Sequence, residues 1–154
     1  MSRQRGFTLI ELVVTLCIAA LLAALAMPSM RSMVVNSRLR AGGTDLMSAL
    51  LLARSEAIKR NAQVAVRPVV AGDWKNGWIV AAVGSGEQYD HKNALGVDVE
   101  VTGAPASIVY DRNGRLTAAG VTKVELADVQ HRVESRCLAI DLSGMPKLAY
   151  GACT

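Results

Sequence analysis

The 154-residue sequence is poor in the side chains from which catalytic and metal centres are usually built. Its two histidines, His91 and His131, lie in polar stretches without the spacing of metal ligands, and we expect both at the surface. Residues 84–86 ("GSG") lack the strand-turn-helix context of a nucleophile elbow, and residues 111–114 ("DRNG") lack the ligand series of an EF-hand. The sequence therefore predicts neither an enzyme nor a bound cofactor or metal.

A large excess of charge of one sign is also absent. The formal net charge is +4, but Arg3 and Arg5 precede any processing point within the first residues. Without them, 15 Lys+Arg stand against 13 Asp+Glu. Such a balance does not by itself indicate nucleic-acid binding.

Cysteine is scarce, with three residues in the chain. Cys17 lies inside an apolar run, whereas Cys137 and Cys153 flank a segment rich in turn signals. Outside the reducing cytosol this pair can form a disulfide, which contributes about 3 kcal/mol in the chain-entropy model. In the cytosol the two residues would instead be free thiols.

No charged residue occurs in the 19 residues from Leu12 to Met30. As a helix they would rise about 28 Å, enough to span a bilayer core, and the preceding arginines place the N-terminus on the cytoplasmic side. A secretory signal peptide is the alternative, with "ALA" at residues 24–26 as a cleavage site. Glu11 and the abrupt Gly6-Phe7 boundary argue against it. A carboxylate near the membrane centre costs about 2.5–3.5 kcal/mol, and less toward the interface, so we expect a cationic partner for Glu11.

The stretch "RGFTLIELVV" at residues 5–14 resembles the class III signal of type IV pilins and type II secretion pseudopilins. The resemblance implies that a prepilin peptidase cuts between Gly6 and Phe7, that the new amine of Phe7 is methylated, and that the apolar helix is retained. Glu11 would then pair with that amine, in its own subunit or in a neighbouring one, and set the register of assembly.

The segment that follows favours helix as far as Asn61. Pro28 predicts a kink or locally melted stretch, or else the end of the membrane span. Gly42-Gly43 is expected to form a flexible joint, because the two glycines cost up to about 2 kcal/mol relative to alanine. Residues 31–61 should present one apolar face to a sheet, formed by Leu39, Leu46, Leu50, Ala53 and Ala57.

The remainder alternates in the manner of β-strands, with "DRNGR" (111–115) and "SGMPK" (143–147) as tight turns. Trp74 and Trp78 are expected to anchor the second strand to the helix rather than to form an exposed contact site. One amphipathic helix packed against an antiparallel sheet predicts an α+β domain. The predicted strands are residues 63–69, 77–83, 96–101, 107–111, 122–126 and 137–142.

The resemblance extends over most of the chain. "ARSEAIKRNAQVAV", "WKNGWIV", "IVYDRNGRLT" and "RCLAIDLSGMPKLAYGAC" are similar to the minor-pilin family that includes the H pseudopilin of type II secretion and the fimbrial proteins FimT and FimU. This implies a type IV pilin-like fold, with a leader at residues 1–6, a transmembrane or filament-core helix at 7–30, its amphipathic continuation at 31–61 and a β-rich periplasmic head at 62–154. The terminal cysteine pair resembles the fimbrial branch more than the secretion branch.

The function implied by the resemblance is that of a minor pilin, held in the bacterial inner membrane and then assembled near the tip of a type IV pilus. Its partners would be other major or minor pilins or pseudopilins, the prepilin peptidase and the inner-membrane assembly platform. The alternative is an H-type minor pseudopilin of type II secretion.

DNA binding is a further alternative, because some FimT-type relatives bind DNA through a Gly-Arg-x-Arg turn near the C-terminus. The matching residues here are "GMPK" at 144–147, in which both arginines are missing. Contacts to DNA phosphates do not depend on the base sequence, so a basic patch could still bind DNA if the fold brings the remaining cationic residues together. The candidates are Arg112, Arg115, Arg132, Arg136 and Lys147.

Overall fold

The computed structural model describes residues 7–118 and 120–154, except for the side chains of residues 25–29. Helix α1 spans Leu9–Arg60 and continues through position 28, so the predicted melted stretch at Pro28 does not occur. The chain divides into two compact units at the boundary between Val34 and Val35. We call the second of these, which starts at Val35, the head unit.

The first unit is the N-terminal part of α1, whose described side chains are almost all exposed. Across the described residues, none of the helices combines the length and apolar character needed to cross a membrane. The segment 12–30, for which the sequence predicts a span, includes residues 25–29, whose side chains lie outside the described set.

The head unit contains two four-stranded antiparallel sheets, with strand orders β3-β2-β1-β5 and β4-β6-β7-β8. The α+β class is confirmed, but the single predicted sheet is wrong and two strands were missed. The polar strand β3 carries no apolar alternation, and β8 begins at a proline, which strands tolerate at sheet edges. The strands are β1 Val64–Val70, β2 Asp73–Ala82, β3 Gln88–Lys92, β4 Val99–Thr102, β5 Ile108–Tyr110, β6 Thr122–Asp128, β7 Arg136–Ile140 and β8 Pro146–Tyr150.

The core lies between α1 and the sheets. Trp74 and Trp78 are both buried in it, so the prediction that they are core residues rather than an exposed contact site is confirmed. Trp74 Nε1 donates a hydrogen bond to Pro105 O at 2.8 Å, which joins β2 to the loop between β4 and β5. Each fully buried large side chain contributes about 1.5–3 kcal/mol, which makes this face the main source of helix stability. All five helix positions predicted to face the sheet are buried, together with Val35 and Ala49.

The glycine pair in α1 is a packing site and not a flexible joint. The helix continues through Gly42 and Gly43, and both are buried. A Cβ at Gly42 would lie 3.1 Å from Leu95 Cδ2, and one at Gly43 would lie 3.0 Å from Leu148 Cδ1. The missing side chains thus allow α1 to approach the leucines, which offsets the low helix propensity of glycine.

Helix α1 ends as the sequence predicts, at Asn61. This residue adopts a left-handed conformation, with φ 51°. Its amide donates to Ile58 O at 3.3 Å, and the amide of Ala62 donates to Ala57 O at 3.2 Å. These two bonds are those of a Schellman motif, which satisfies the last carbonyls of the helix.

The β4-β6-β7-β8 sheet has two distinct ends. At one end β4 and β7 begin while β6 and β8 finish, with the register pairs Val99↔Asp128 and Arg136↔Tyr150. We call this the basal end, formed by the loops 93–98 and 129–135, Tyr150, and the start of the head-unit helix at residues 35–38. The opposite end, with the turns at residues 111–115 and 141–145, we call the turn end.

Candidate assembly surfaces

The first turn of α1 explains how Glu11 is positioned. Thr8 Oγ1 accepts a hydrogen bond from the Glu11 amide at 3.3 Å, and Thr8 O accepts one from the Leu12 amide at 3.2 Å. Thr8 is thus the N-cap, and Glu11 is the third helical residue, as in a capping box. The positive end of the helix dipole also favours an acid there. Sequence reasoning missed this local role, although its Thr-x-x-Glu signal is present.

The helix around and after Glu11, at residues 7–24, exposes mainly apolar side chains. Phe7 and Leu9 are each 81% exposed, and all side chains described between residues 7 and 24 are exposed, including the free Cys17. Apolar exposure on this scale marks a surface that another apolar phase or partner covers. The predicted cleavage site involves Gly6, which lies outside the described residues.

Two similar turns form the turn end of the head unit. In the first, Asp111 Oδ1 accepts hydrogen bonds at 2.9 Å from the amides of Asn113 and Arg115, and in the second, Asp141 Oδ1 accepts one from the Ser143 amide at 2.9 Å. The Arg115 amide lowers the pKa of Asp111, and the Ser143 hydroxyl lowers the pKa of Asp141. The first turn is confirmed at residues 111–115, whereas the second lies at 141–145, two residues before its predicted position, because β8 already begins at Pro146.

The helix and a tyrosine hold the two turns together. Arg54 Nε donates to Gly114 O at 2.9 Å, while Tyr110 OH donates to Gly144 O at 3.2 Å. Tyr110 is buried, and burial raises its pKa to about 12. The first bond connects α1 to the turn after β5, and the second connects β5 to the hairpin of β7 and β8.

The basal end is held by charged side chains. Arg38 forms an ion pair with Asp98 at 2.8 Å, and Arg132 forms one with Asp128 at 2.8 Å. Asp128 is fully buried and also accepts a hydrogen bond from the Arg132 amide at 2.8 Å. The Arg132 guanidinium holds the pKa of the Asp128 carboxyl well below its usual range.

Arg136 is the third arginine of the basal end and is only 4% exposed. It donates to Glu134 O at 2.7 Å, to Ser135 O at 2.9 Å and to Asn36 Oδ1 at 2.6 Å. Its guanidinium carbon lies 4.2 Å from the centre of the Tyr150 ring. Arg136 therefore joins β7 and β8 to the start of the head-unit helix.

The disulfide between Cys137 and Cys153 lies next to this arginine, with 5.0 Å between the two Cα atoms. The Cys153 amide donates to Glu125 Oε2 at 3.0 Å. The disulfide and this bond hold the C-terminal tail against β6 and β7.

The fold does not bring the five candidate DNA contacts together. Arg112 and Arg115 are exposed in the first turn, and Lys147 is exposed at the start of β8, all at the turn end. Arg132 and Arg136 lie at the basal end, where both are bonded within the protein. A large basic patch would need all five on one face.

The histidines occupy the positions expected of solvated side chains, since His91 on β3 and His131 in the loop after β6 are both exposed. In the part of the chain that the structure describes, no three His, Cys, Asp or Glu side chains are grouped to hold a metal ion.

Known structures share this architecture. The type IV minor pilin FimU of Pseudomonas aeruginosa superimposes with a TM-score of 0.63 at 18% identity, covering 74% of this chain and 90% of FimU. A second crystal form of FimU gives 0.60 at 19% identity, covering 71% and 91%. The minor pseudopilin EpsH from the type 2 secretion system of Vibrio cholerae gives 0.56 at 14% identity, covering 73% and 97%. These likenesses establish a pilin-type fold.

The sequence also matches two family profiles. The prokaryotic N-terminal methylation motif covers residues 1–27. The profile described as type II transport protein GspH covers residues 43–144, about two thirds of the chain. The chain belongs to the GspH family of pilins and pseudopilins.

Proposed function

We propose that this protein is a minor pilin of a type IV pilus, cut between Gly6 and Phe7, methylated at Phe7 and assembled near the filament tip. The observation that carries the proposal is the matched methylation motif at residues 1–27, within which the helix exposes its apolar side chains from residue 7 to residue 24. Before assembly a bilayer would cover that surface, with the head on the periplasmic side, and afterwards the helices of neighbouring pilins would do so.

Glu11 supplies the register in this mechanism. The Thr8 cap fixes the first turn, so the carboxylate projects from a defined position on the helix. Processing at Phe7 creates the cation that it pairs with, in the same subunit or the next. Inside a filament, removal of one partner of such a pair costs about 3–5 kcal/mol, because the other charge stays buried alone.

The test is Glu11→Gln in the full-length precursor, since glutamine can replace glutamate in a capping box and only the charge is lost. We expect normal cleavage and methylation by mass spectrometry, and at least a tenfold loss of the protein from sheared filaments. Asp90→Asn, which removes an exposed acid of β3, is the matched control and should be incorporated normally. Normal incorporation of Glu11→Gln would refute the docking role.

A role as an H-type pseudopilin in type II secretion is the second candidate, favoured by the description of the family and by the likeness to EpsH. The two candidates separate on gene deletion. Loss of surface filaments with unchanged release of exoproteins supports the pilus, and the opposite result supports secretion. The prepilin peptidase and an inner-membrane assembly platform are partners in either case.

DNA uptake is the third candidate, and the observation in its favour is the exposure of Arg112, Arg115 and Lys147 at one end of the head unit. A gel shift with the detergent-solubilised chain at moderate salt tests it. Retardation that is lost in Arg112→Gln/Arg115→Gln would support the role, and no retardation at high protein concentration would exclude it.

A further inference from the structure

The basal end exposes apolar side chains in neighbouring loops. Val97 is 90% exposed and Val129 51% exposed, and the Val129 amide donates to Asp98 O at 3.1 Å, which joins the two loops that carry them. Tyr150, at the end of β8, is 68% exposed. Single exposed apolar residues are ordinary on a protein surface, so exposure alone does not identify what covers this end.

The charges of the basal end are unevenly compensated. Asp98 and Asp128 are each paired with an arginine. Arg136 is different: its hydrogen bonds go to neutral oxygens, its Nε has no partner, and among the described residues no carboxylate lies within ion-pair distance of it. No carboxylate among the described residues therefore neutralises its positive charge, which lies against the exposed ring of Tyr150.

The helix segment that leads into the head unit is basic. Residues 12–44 contain three arginines, Arg31, Arg38 and Arg40, and no acidic residue. Basic side chains next to a membrane segment each contribute about 1 kcal/mol of attraction to an anionic lipid surface. This charge is complementary to phosphate headgroups.

The length of the chain between the proposed anchor and the head unit limits how far the basal end can lie from the membrane surface. Val35, the first residue of the head unit, follows Met30 by five residues, which span at most about 18 Å when fully extended. An anchor that reaches the membrane surface at Met30 therefore keeps the basal end within reach of the headgroup layer. The turn end has no such tether.

We infer that, before assembly, the basal end of the head unit rests on the bilayer, with Val97, Val129 and Tyr150 in the interface and the exposed Arg31 and Arg40 on the phosphate groups of anionic phospholipids. The inference rests on the proposed function, since it needs the N-terminal anchor. Tyrosine is well suited to this layer, because its ring prefers the apolar side and its hydroxyl the wet side. Such seating would hold the head against the membrane until neighbouring subunits replace the lipid.

The test uses the full chain with Cys17→Ser, reconstituted into vesicles and spin-labelled at one introduced cysteine. Val97→Cys reports on the basal end, and Val121→Cys, a valine 57% exposed just before β6 at the opposite end, is the matched control. The vesicles contain phosphatidylglycerol and a lipid whose headgroup carries a nickel chelate, which enhances the relaxation rate of nearby spin labels. We expect this enhancement to be at least three times larger at position 97 than at position 121. High salt should reduce the difference.

Two further comparisons test the apolar and the charged contributions. Val129→Ser should lower the signal at position 97, whereas Val121→Ser, the same change at the opposite end, should not. Equal relaxation at both labelled positions, or an undiminished signal in vesicles of phosphatidylcholine alone, would overturn the inference. A signal that appears only at a high protein-to-lipid ratio would also overturn it, because a second copy of the chain would then be the partner.

A label on the native Cys17 separates this inference from the proposed function. If the label on Cys17 is protected from a water-soluble relaxation agent but the label at position 97 shows no contact with the lipid headgroups, the inference fails and the membrane anchor is retained. If Cys17 itself is accessible from water, the anchor is absent and both proposals fail.

Discussion

The two ends of the head unit are held together by different means. At the turn end, backbone atoms of two turns approach so closely that glycine is required, as shown by Gly144 against Gly114 O. At the basal end, a disulfide and ion pairs, among them that of Arg132 with the buried Asp128, hold the loops. The stability of the turn end thus depends strongly on the close packing of backbone atoms, whereas that of the basal end depends more on a buried charge and on the redox state of the disulfide. The end that depends on the disulfide is thus the one that contains the start of the head-unit helix at residues 35–38.

Gly144→Ala should destabilise the turn end more than any other change considered below. A Cβ at this position would lie 2.2 Å from Gly114 O and 2.9 Å from Tyr110 Cε1, and the residue has φ +81°. Backbone strain and overpacking each cost about 1–3 kcal/mol, so we expect a loss of about 3–5 kcal/mol in the free energy of unfolding, measured by urea denaturation.

The control for this change is Gly72→Ala, because Gly72 has a similar φ of +77° and no atom within 4 Å of the added Cβ. Gly72→Ala introduces the same backbone strain without a steric clash, so it should lower the free energy of unfolding by about 1–2 kcal/mol. Equal losses in the two variants would show that crowding between the turns does not stabilise the turn end.

The basal end should depend on its disulfide. Cys137→Ser/Cys153→Ser opens a loop between residues 16 apart in sequence, which in the chain-entropy model costs about 3 kcal/mol of the free energy of unfolding. Cys17→Ser is the control and should leave stability unchanged, because Cys17 is free and exposed. In the folded, oxidised protein one thiol should react with a thiol reagent, and three after reduction and unfolding. More than one reactive thiol before reduction would contradict the bridge.

Much of this fold could be predicted from the sequence, because long periodic segments constrain the chain strongly. Leu39, Leu46 and Leu50 recur at helical spacing and are all buried. The two missed strands, β3 and β8, lie at sheet edges and lack the apolar alternation that identifies a strand. Their positions depend on neighbours that are distant in sequence.

The errors at individual residues have a similar origin. Gly42 and Gly43 were expected to loosen the helix because propensity counts only local effects, while the structure shows leucines from other elements packed against them. Arg136 was a candidate DNA contact, which requires the exposure that is usual for arginine. Its acceptors come from Asn36 and from residues 134 and 135, and this convergence exists only in the folded chain.

The smallest expected effect concerns the buried carboxylate of the basal end. Asp128→Asn removes the charge that Arg132 binds, and loss of hydrogen bonds to a charged group costs about 1.5–3 kcal/mol at neutral pH. Because folding lowers the pKa of Asp128, its contribution is complete above the unfolded value of about 4 and is lost as the pH falls below it. The difference in unfolding free energy between the parent and Asp128→Asn should therefore narrow below pH of about 4, while Asp90→Asn, at an exposed acid, should differ little from the parent at neutral pH. A constant difference across that range would mean that shape rather than charge holds the basal end, and the contrast between the two ends would disappear.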